Sequence, residues 1–159
     1  MSTLLFSLFA AVFYGATCLY LISCLSRRVP FNKALITSIT ALGFVAQGLQ
    51  LSALLLSEQG LLLSMFNVAS LITFSITGCV LLCLTRISVH ILLLPLLSLS
   101  ATTVLCAQFM PQGNLSPINE APGILAHILL SILAYGMITI AVFQSLILLI
   151  QDQQLRKRP

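Results

Sequence analysis

A chain of 159 residues that is 59% hydrophobic and only 6% charged, with a mean hydropathy of +1.13, cannot cover itself with a water-facing surface, since soluble domains carry about a quarter charged residues. Its net charge of +4 comes from seven bases against three acids, and it reads as membrane topology and attraction to anionic lipid rather than as a nucleic-acid footprint. These numbers exclude a soluble enzyme or binding module and predict one all-α unit over residues 1–159, a polytopic transmembrane helical bundle of five spans.

The first apolar block, Thr3 to Leu25, has no positive n-region and outruns the h-region of a secretory signal, so it reads as a retained span. After the basic link Ser26–Lys33 comes a second span, Ala34–Leu56, where Gly43 and Gly48 allow close helix approach and Gln47 and Gln50 lie past the midpoint. The link Ser57–Ser64 leads to a third span, Met65–Thr85, which opens with Asn67 and Ser70 and carries Cys79 and Cys83 on one face near its end. Arg86–Val89 connects to the fourth, His90–Phe109, in which Pro95 is expected to kink the helix and Ser98 and Thr102 to satisfy the freed backbone groups. Pro111, Gly113, Asn114 and Pro117 forbid regular structure in the link Met110–Ala121. The fifth span, Pro122–Ile150, exceeds a perpendicular crossing and must tilt or project.

With five spans the links alternate sides, and Arg27, Arg28, Lys33, Arg86, Arg156, Lys157 and Arg158 all fall on one of them. Bases near span ends stay in the cytoplasm, which predicts an outer amino terminus and an inner carboxyl terminus; Glu58 and Glu120 fall on the other face. The same alternation places Gln47, Gln50, Asn67, Ser70, His127 and Ser131 in the outer half of the membrane.

Polar side chains in hydrocarbon are costly and turn towards neighbouring helices or a cavity. His127, Ser131, Tyr135 and Thr139 recur every four residues, so they share one helix face, expected to look into the bundle. For Gln47, Gln50, Asn67 and Ser70 interhelical hydrogen bonding is the plainer explanation. His127 leaves three roles open: a neutral donor between helices, a proton carrier, or an axial ligand to haem iron. His90 belongs to the opposite membrane face, so two histidines cannot clamp one iron within a single chain. The five cysteines, Cys18, Cys24, Cys79, Cys83 and Cys106, show neither haem-attachment nor zinc spacing and read as small buried apolar side chains. No Ser/His/Asp or two-carboxylate set is present, so no enzymatic activity is expected.

The stretch Glu120-Ala-Pro-Gly-Ile-Leu-Ala-His127-Ile-Leu-Leu-Ser-Ile-Leu-Ala-Tyr135-Gly resembles the cytochrome c assembly family of membrane proteins, the CcsA/ResC type, nearest to its YpjD-like inner-membrane branch. Phe66-Asn-Val-Ala-Ser70, Leu92-Leu-Leu-Pro95, Phe109-Met-Pro111 and the tail Gln151-Asp-Gln-Gln-Leu-Arg156 extend the resemblance over the carboxyl-terminal three fifths. What the resemblance implies is a multi-pass protein of the inner (plasma) membrane that handles haem at its outer face, with His127 at a haem-ligand position and Asn67, Ser131 and Tyr135 around the cofactor. Haem-handling members also carry a tryptophan-rich outer loop and a second outer histidine, whereas this sequence has no tryptophan. Members are longer, so the ending Arg156–Pro159 looks like the link after the fifth span, from which a longer relative continues.

Two functions follow: a haem-associated cytochrome c assembly protein, or a non-catalytic membrane subunit that keeps the family bundle without haem. A transporter half with His127 as proton carrier lacks an intramembrane acid to exchange with. The expected partners are membrane lipid, haem, and other cytochrome c maturation proteins or a missing carboxyl-terminal half, with no nucleic acid.

Overall fold

The structure, a computed structural model, describes residues 2–27, 29–57, 60–61, 64–84, 90–110 and 122–156. The apolar blocks become five helices: α1 (Ser2–Arg27), α2 (Lys33–Leu55), α3 (Met65–Leu84), α4 (His90–Phe109) and α5 (Pro122–Arg156). Each is long and apolar enough to cross a membrane. Arg28, Glu58, Arg86, Glu120, Lys157 and Arg158, and the proline- and glycine-bearing stretch 111–121, lie outside the described residues. The described bases Arg27, Lys33 and Arg156 stand at the end of α1, the start of α2 and the end of α5.

Helices form because, in hydrocarbon, a continuous helix satisfies its backbone internally, while lipid-exposed loops do not. The link after α2 closes with a short antiparallel ladder, β1 (Leu56–Ser57) with β2 (Gly60–Leu61), pairing Leu56 with Leu61 and Ser57 with Gly60. At the other end of α2, Asn32 Oδ1 accepts from the Leu35 N–H at 3.2 Å and caps an orphan donor of the first turn. α4 runs through Pro95 without a break. Ser98 and Thr102 donate to the Pro95 and Leu99 carbonyls, three residues back, and not to Ile91, whose usual donor Pro95 cannot supply.

Four helices make a ring: α1 packs on α2 and α4, and α3 on the same two. Neighbours run antiparallel, as the contacts show. Gly43 and Gln47 meet Tyr14, while Thr73 meets Thr103 and Thr77 meets Ser100, one number rising as the other falls. A Cβ at Gly43 would sit 2.7 Å from the Tyr14 ring, so this glycine lets α1 and α2 close. Across α2 and α3, Phe44 and Phe74 stack with ring centroids 4.2 Å apart, and each ring also fills the space left by a glycine, Gly78 and Gly48 respectively.

The core of the ring divides by depth. Towards the Arg27–Lys33 end it is apolar: Leu21, Ile36, Val80, Leu84, Leu92, Leu93, Leu96 and Leu97 are buried. Towards the other end it is polar, with Gln47, Gln50, Asn67, Ser70 and Ser100 fully buried. α5 stands outside the ring against α3, and only 11% of its span is buried, compared with 39% in α2, α3 and α4. Its 35 residues reach about 52 Å at 1.5 Å each, well beyond a hydrocarbon core of roughly 30 Å.

Candidate functional site

Two groups of polar side chains occupy the half of the bundle away from Lys33, and they are built differently. The first lies inside the four-helix ring. Tyr14 donates to Gln47 Oε1 at 2.7 Å, and the Gln47 amide in turn faces the Ser70 carbonyl at 3.0 Å, Ser70 Oγ at 3.2 Å and Thr73 Oγ1 at 3.3 Å. Thr73 and Thr103 share a hydrogen bond of 2.9 Å, and Thr77 and Ser100 one of 3.2 Å. One turn outward Gln50 Nε2 donates to the Val104 carbonyl at 3.1 Å. Every helix of the ring is thus tied to another through Gln47, Thr73 or Gln50. Gln50 Oε1 and Thr40 Oγ1 are buried without a partner among the described residues, which leaves the seam able to accept further donors.

The second group lies on α5. His127 stands five residues into the helix, about 8 Å from its start. With Ser131 and Tyr135 it lines a groove of about 310 Å³ whose other walls are Val68 and Ile72 of α3 and Ile128 and Ile132 of α5. The His127 and Tyr135 side chains are exposed, Tyr135 to 61%, and neither has a hydrogen-bond partner among the described residues. Ser131 and Thr139 donate back to the His127 and Tyr135 carbonyls, both at 2.8 Å. A second recess, of about 350 Å³, lies at the opposite end beside Tyr20, Ser23, Cys24, Arg27 and Val29.

The expectation that the four-residue repeat of α5 looks into the bundle is corrected here. Among the described side chains, Ile132 and Gly136 are the buried positions of the outer half of the helix, and a Cβ on Gly136 would lie 3.2 Å from Ile76 of α3. These positions follow Ser131 and Tyr135 by one residue, about 100° further round the helix, so apolar side chains take the interface and the polar face turns to its flank. Ser131 and Thr139 need no neighbour because their own helix accepts their protons.

Of the four residues singled out from the sequence, the structure brings His127, Ser131 and Tyr135 together on the groove. Asn67 is elsewhere: it is fully buried in α3, while the next residue, Val68, faces the groove. The cysteines are more varied than expected, Cys24 buried, Cys18, Cys79 and Cys106 half-buried and Cys83 exposed, all as free thiols. The His90 side chain lies outside the described ones. Sequence reading did not single out Tyr14 and Thr73 as partners of Gln47, nor Thr77, Ser100 and Thr103 as hydroxyls that join α3 to α4. The available signal was a hydroxyl at 70, 73 and 77 on one face of α3 and at 100 and 103 on α4. No group of three or more His, Cys, Asp or Glu side chains that would hold a metal occurs among the described residues.

Chemically, the groove offers one imidazole with no hydrogen-bond partner among the described residues, beside apolar walls. A neutral imidazole nitrogen so placed can coordinate iron or donate one hydrogen bond, and the apolar walls suit the face of a flat hydrophobic molecule. The glycine at the first turn of α5, Gly123, has no described atom within 4 Å of where a Cβ would stand.

The cytochrome c assembly protein family model matches residues 35–159. The inner membrane protein YpjD of Escherichia coli strain K12 is 29% identical over 127 residues, which are 80% of this chain and 48% of that protein. The proteins of the same name from Escherichia coli O6:H1 and O157:H7 match to the same extent. The chain therefore spans about half the length of the curated relatives it matches. No solved structure matches it.

Proposed function

The chain belongs to the cytochrome c assembly protein family, and from that premise we propose that it handles haem at the outer face of the inner membrane, with His127 as the iron ligand. The observation that carries this reading is the His127 imidazole, exposed, without a hydrogen-bond partner among the described residues, and lining an apolar groove. Haem has an apolar macrocycle, two carboxylates and an iron that accepts nitrogen ligands. Val68, Ile72, Ile128 and Ile132 match the first, the α5 amides near Gly123 the second, and His127 the third. Bound there, haem would supply iron chemistry that no side chain of the groove has.

The protein's own residues do three things in this reading. His127 fixes the depth of the ligand, about 8 Å below the start of α5. Ser131 holds the His127 carbonyl, keeping that turn regular, and Tyr135 offers a hydroxyl at the inner end of the groove. Asn67 supports the wall from behind, being buried one residue before Val68. The outer placement rests on Arg27, Lys33 and Arg156, which mark the opposite end as cytoplasmic by the preference of bases for that side.

Haem titration of purified protein in detergent tests the assignment. Wild-type protein is expected to give a Soret band that His127→Ala abolishes or weakens at least tenfold, with unchanged helix content. A band that survives in His127→Ala would remove His127 as the ligand. A wild-type protein that stays colourless yet co-purifies with another membrane protein would favour the haem-free subunit.

A further inference from the structure

The link that turns the chain from α1 into α2 is cationic and carries no acid to balance it. Arg27, Arg28 and Lys33 fall within seven positions, and the first acid of the sequence is Glu58. Arg27 has no ion pair among the described residues, and the described acid, Asp152, is already bonded to Arg156 at 2.9 Å.

Beside these bases the chain folds a recess of about 350 Å³, lined by Tyr20, Ser23, Cys24, Arg27 and Val29. It exists because α1 ends by wrapping back on itself. The Val29 N–H reaches the Cys24 carbonyl at 3.1 Å, Pro30 forbids a further helical turn, and the Asn32 N–H meets the Tyr20 hydroxyl at 3.4 Å. Tyr20, Ser23 and Arg27 follow one another in steps of three and four, hence on one helix face. Their polar ends are donors in reserve. Tyr20 accepts from Asn32 and keeps its own proton. Ser23 Oγ has no hydrogen-bond partner among the described residues, whereas Ser75, Ser98 and Ser145 donate to their own helices. The Arg27 guanidinium adds a full charge, at the end of the α1 span where side chains meet headgroups.

We propose that this recess holds the phosphate of an anionic phospholipid of the cytoplasmic leaflet, with Arg27 as the charged donor and Ser23 and Tyr20 as neutral ones. Two observations select this ligand. The first is charge: a zwitterionic headgroup would bring an ammonium among Arg27, Arg28 and Lys33, with no carboxylate in the link to receive it, so a net-negative headgroup is preferred. The second is the apolar strip below the recess. Val12, Ala16 and Leu19 continue the line of Ser23 along α1 in steps of four, three and four, and all are exposed, Leu19 to 68%. The helices packed on α1 are α2 and α4, and they leave this line bare. An acyl chain lies along it when the headgroup is held at Ser23 and Arg27, whereas a free phosphate would use the donors and leave the strip uncovered. The site is at the opposite membrane face from His127 and does not depend on haem.

The test uses the purified full chain in bilayers and is read without haem. Because the sequence has no tryptophan, Leu19→Trp places a single reporter on the strip. In mixtures of phosphatidylglycerol and phosphatidylcholine, with one of the two brominated on its acyl chains, quenching of that tryptophan reads which lipid lies beside it. Phosphatidylglycerol is expected to be favoured about fivefold at equal mole fraction, the worth of one base near the membrane surface. Arg27→Gln, a change at an exposed side chain, should abolish the preference. Arg156→Gln, which removes the same charge from another helix end, should leave it intact. Equal quenching by the two lipids in the chain that keeps Arg27, or a preference that survives Arg27→Gln, would overturn the proposal. An equal fall in Arg156→Gln would do so too, because it marks diffuse attraction to the surface. So would a preference lost on adding inorganic phosphate but not sodium chloride of equal ionic strength, because the recess would then take a free anion.

Discussion

The seam inside α1–α4 and the stripe on α5 contain the same kinds of side chain in the same half of the membrane, yet one bonds across helices and the other does not. In the ring, Gln47 reaches Tyr14 on α1 and Ser70 and Thr73 on α3, so its amide ties three helices. On α5 the hydroxyls of Ser131 and Thr139 turn back on their own carbonyls, and His127 and Tyr135 face outward. Polar groups that bond between helices specify the bundle, while polar groups that do not are left for something outside it.

That contrast predicts effects of very different size. The largest is expected where the ring is tightest: Gly43→Val places atoms against the Tyr14 ring, already 2.7 Å from a bare Cβ, and overpacking of this kind costs about 1–3 kcal/mol. Unfolding of the purified protein by sodium dodecyl sulfate should show it, and a wild-type midpoint would mean that α1 and α2 are not closed at this glycine. Next comes Gln47→Leu, which strips Tyr14 of its acceptor and Ser70 and Thr73 of a donor. Membrane hydrogen bonds average about 0.6 kcal/mol with a maximum near 1.7, so a loss of about 1–2 kcal/mol in the same assay is expected. The smallest belongs to α5, where Ser131→Ala removes only a bond to the helix's own carbonyl. It should change stability by less than about 0.5 kcal/mol, and a larger loss would show that Ser131 bonds across to another helix after all.

Legibility followed the same division. The five spans were readable because a bilayer demands runs of about 20 apolar residues, and the helices begin and end within two residues of those runs, except that α5 continues from Ile150 to Arg156. That extension was hidden because Gln151 to Gln154 are polar, although a helix leaving the membrane has no reason to stop at its surface. The glutamines of α2 were recognisable as polar groups needing partners, but Tyr14, 33 positions away from Gln47, was not. Asn67 illustrates the limit: next to Val68 in sequence, it faces the bundle while Val68 faces the groove.

What the sequence by itself determined is the number of helices and, the carboxyl end of α5 apart, where they begin and end, which depends on transfer between water and lipid. Only the tertiary structure decided which way each helix is rotated. In water an apolar stripe marks the buried face, but in hydrocarbon every face is apolar, so α5 gives no such mark. Its rotation was settled by contact with α3, where Gly136 meets Ile76 and leaves His127 and Tyr135 outside.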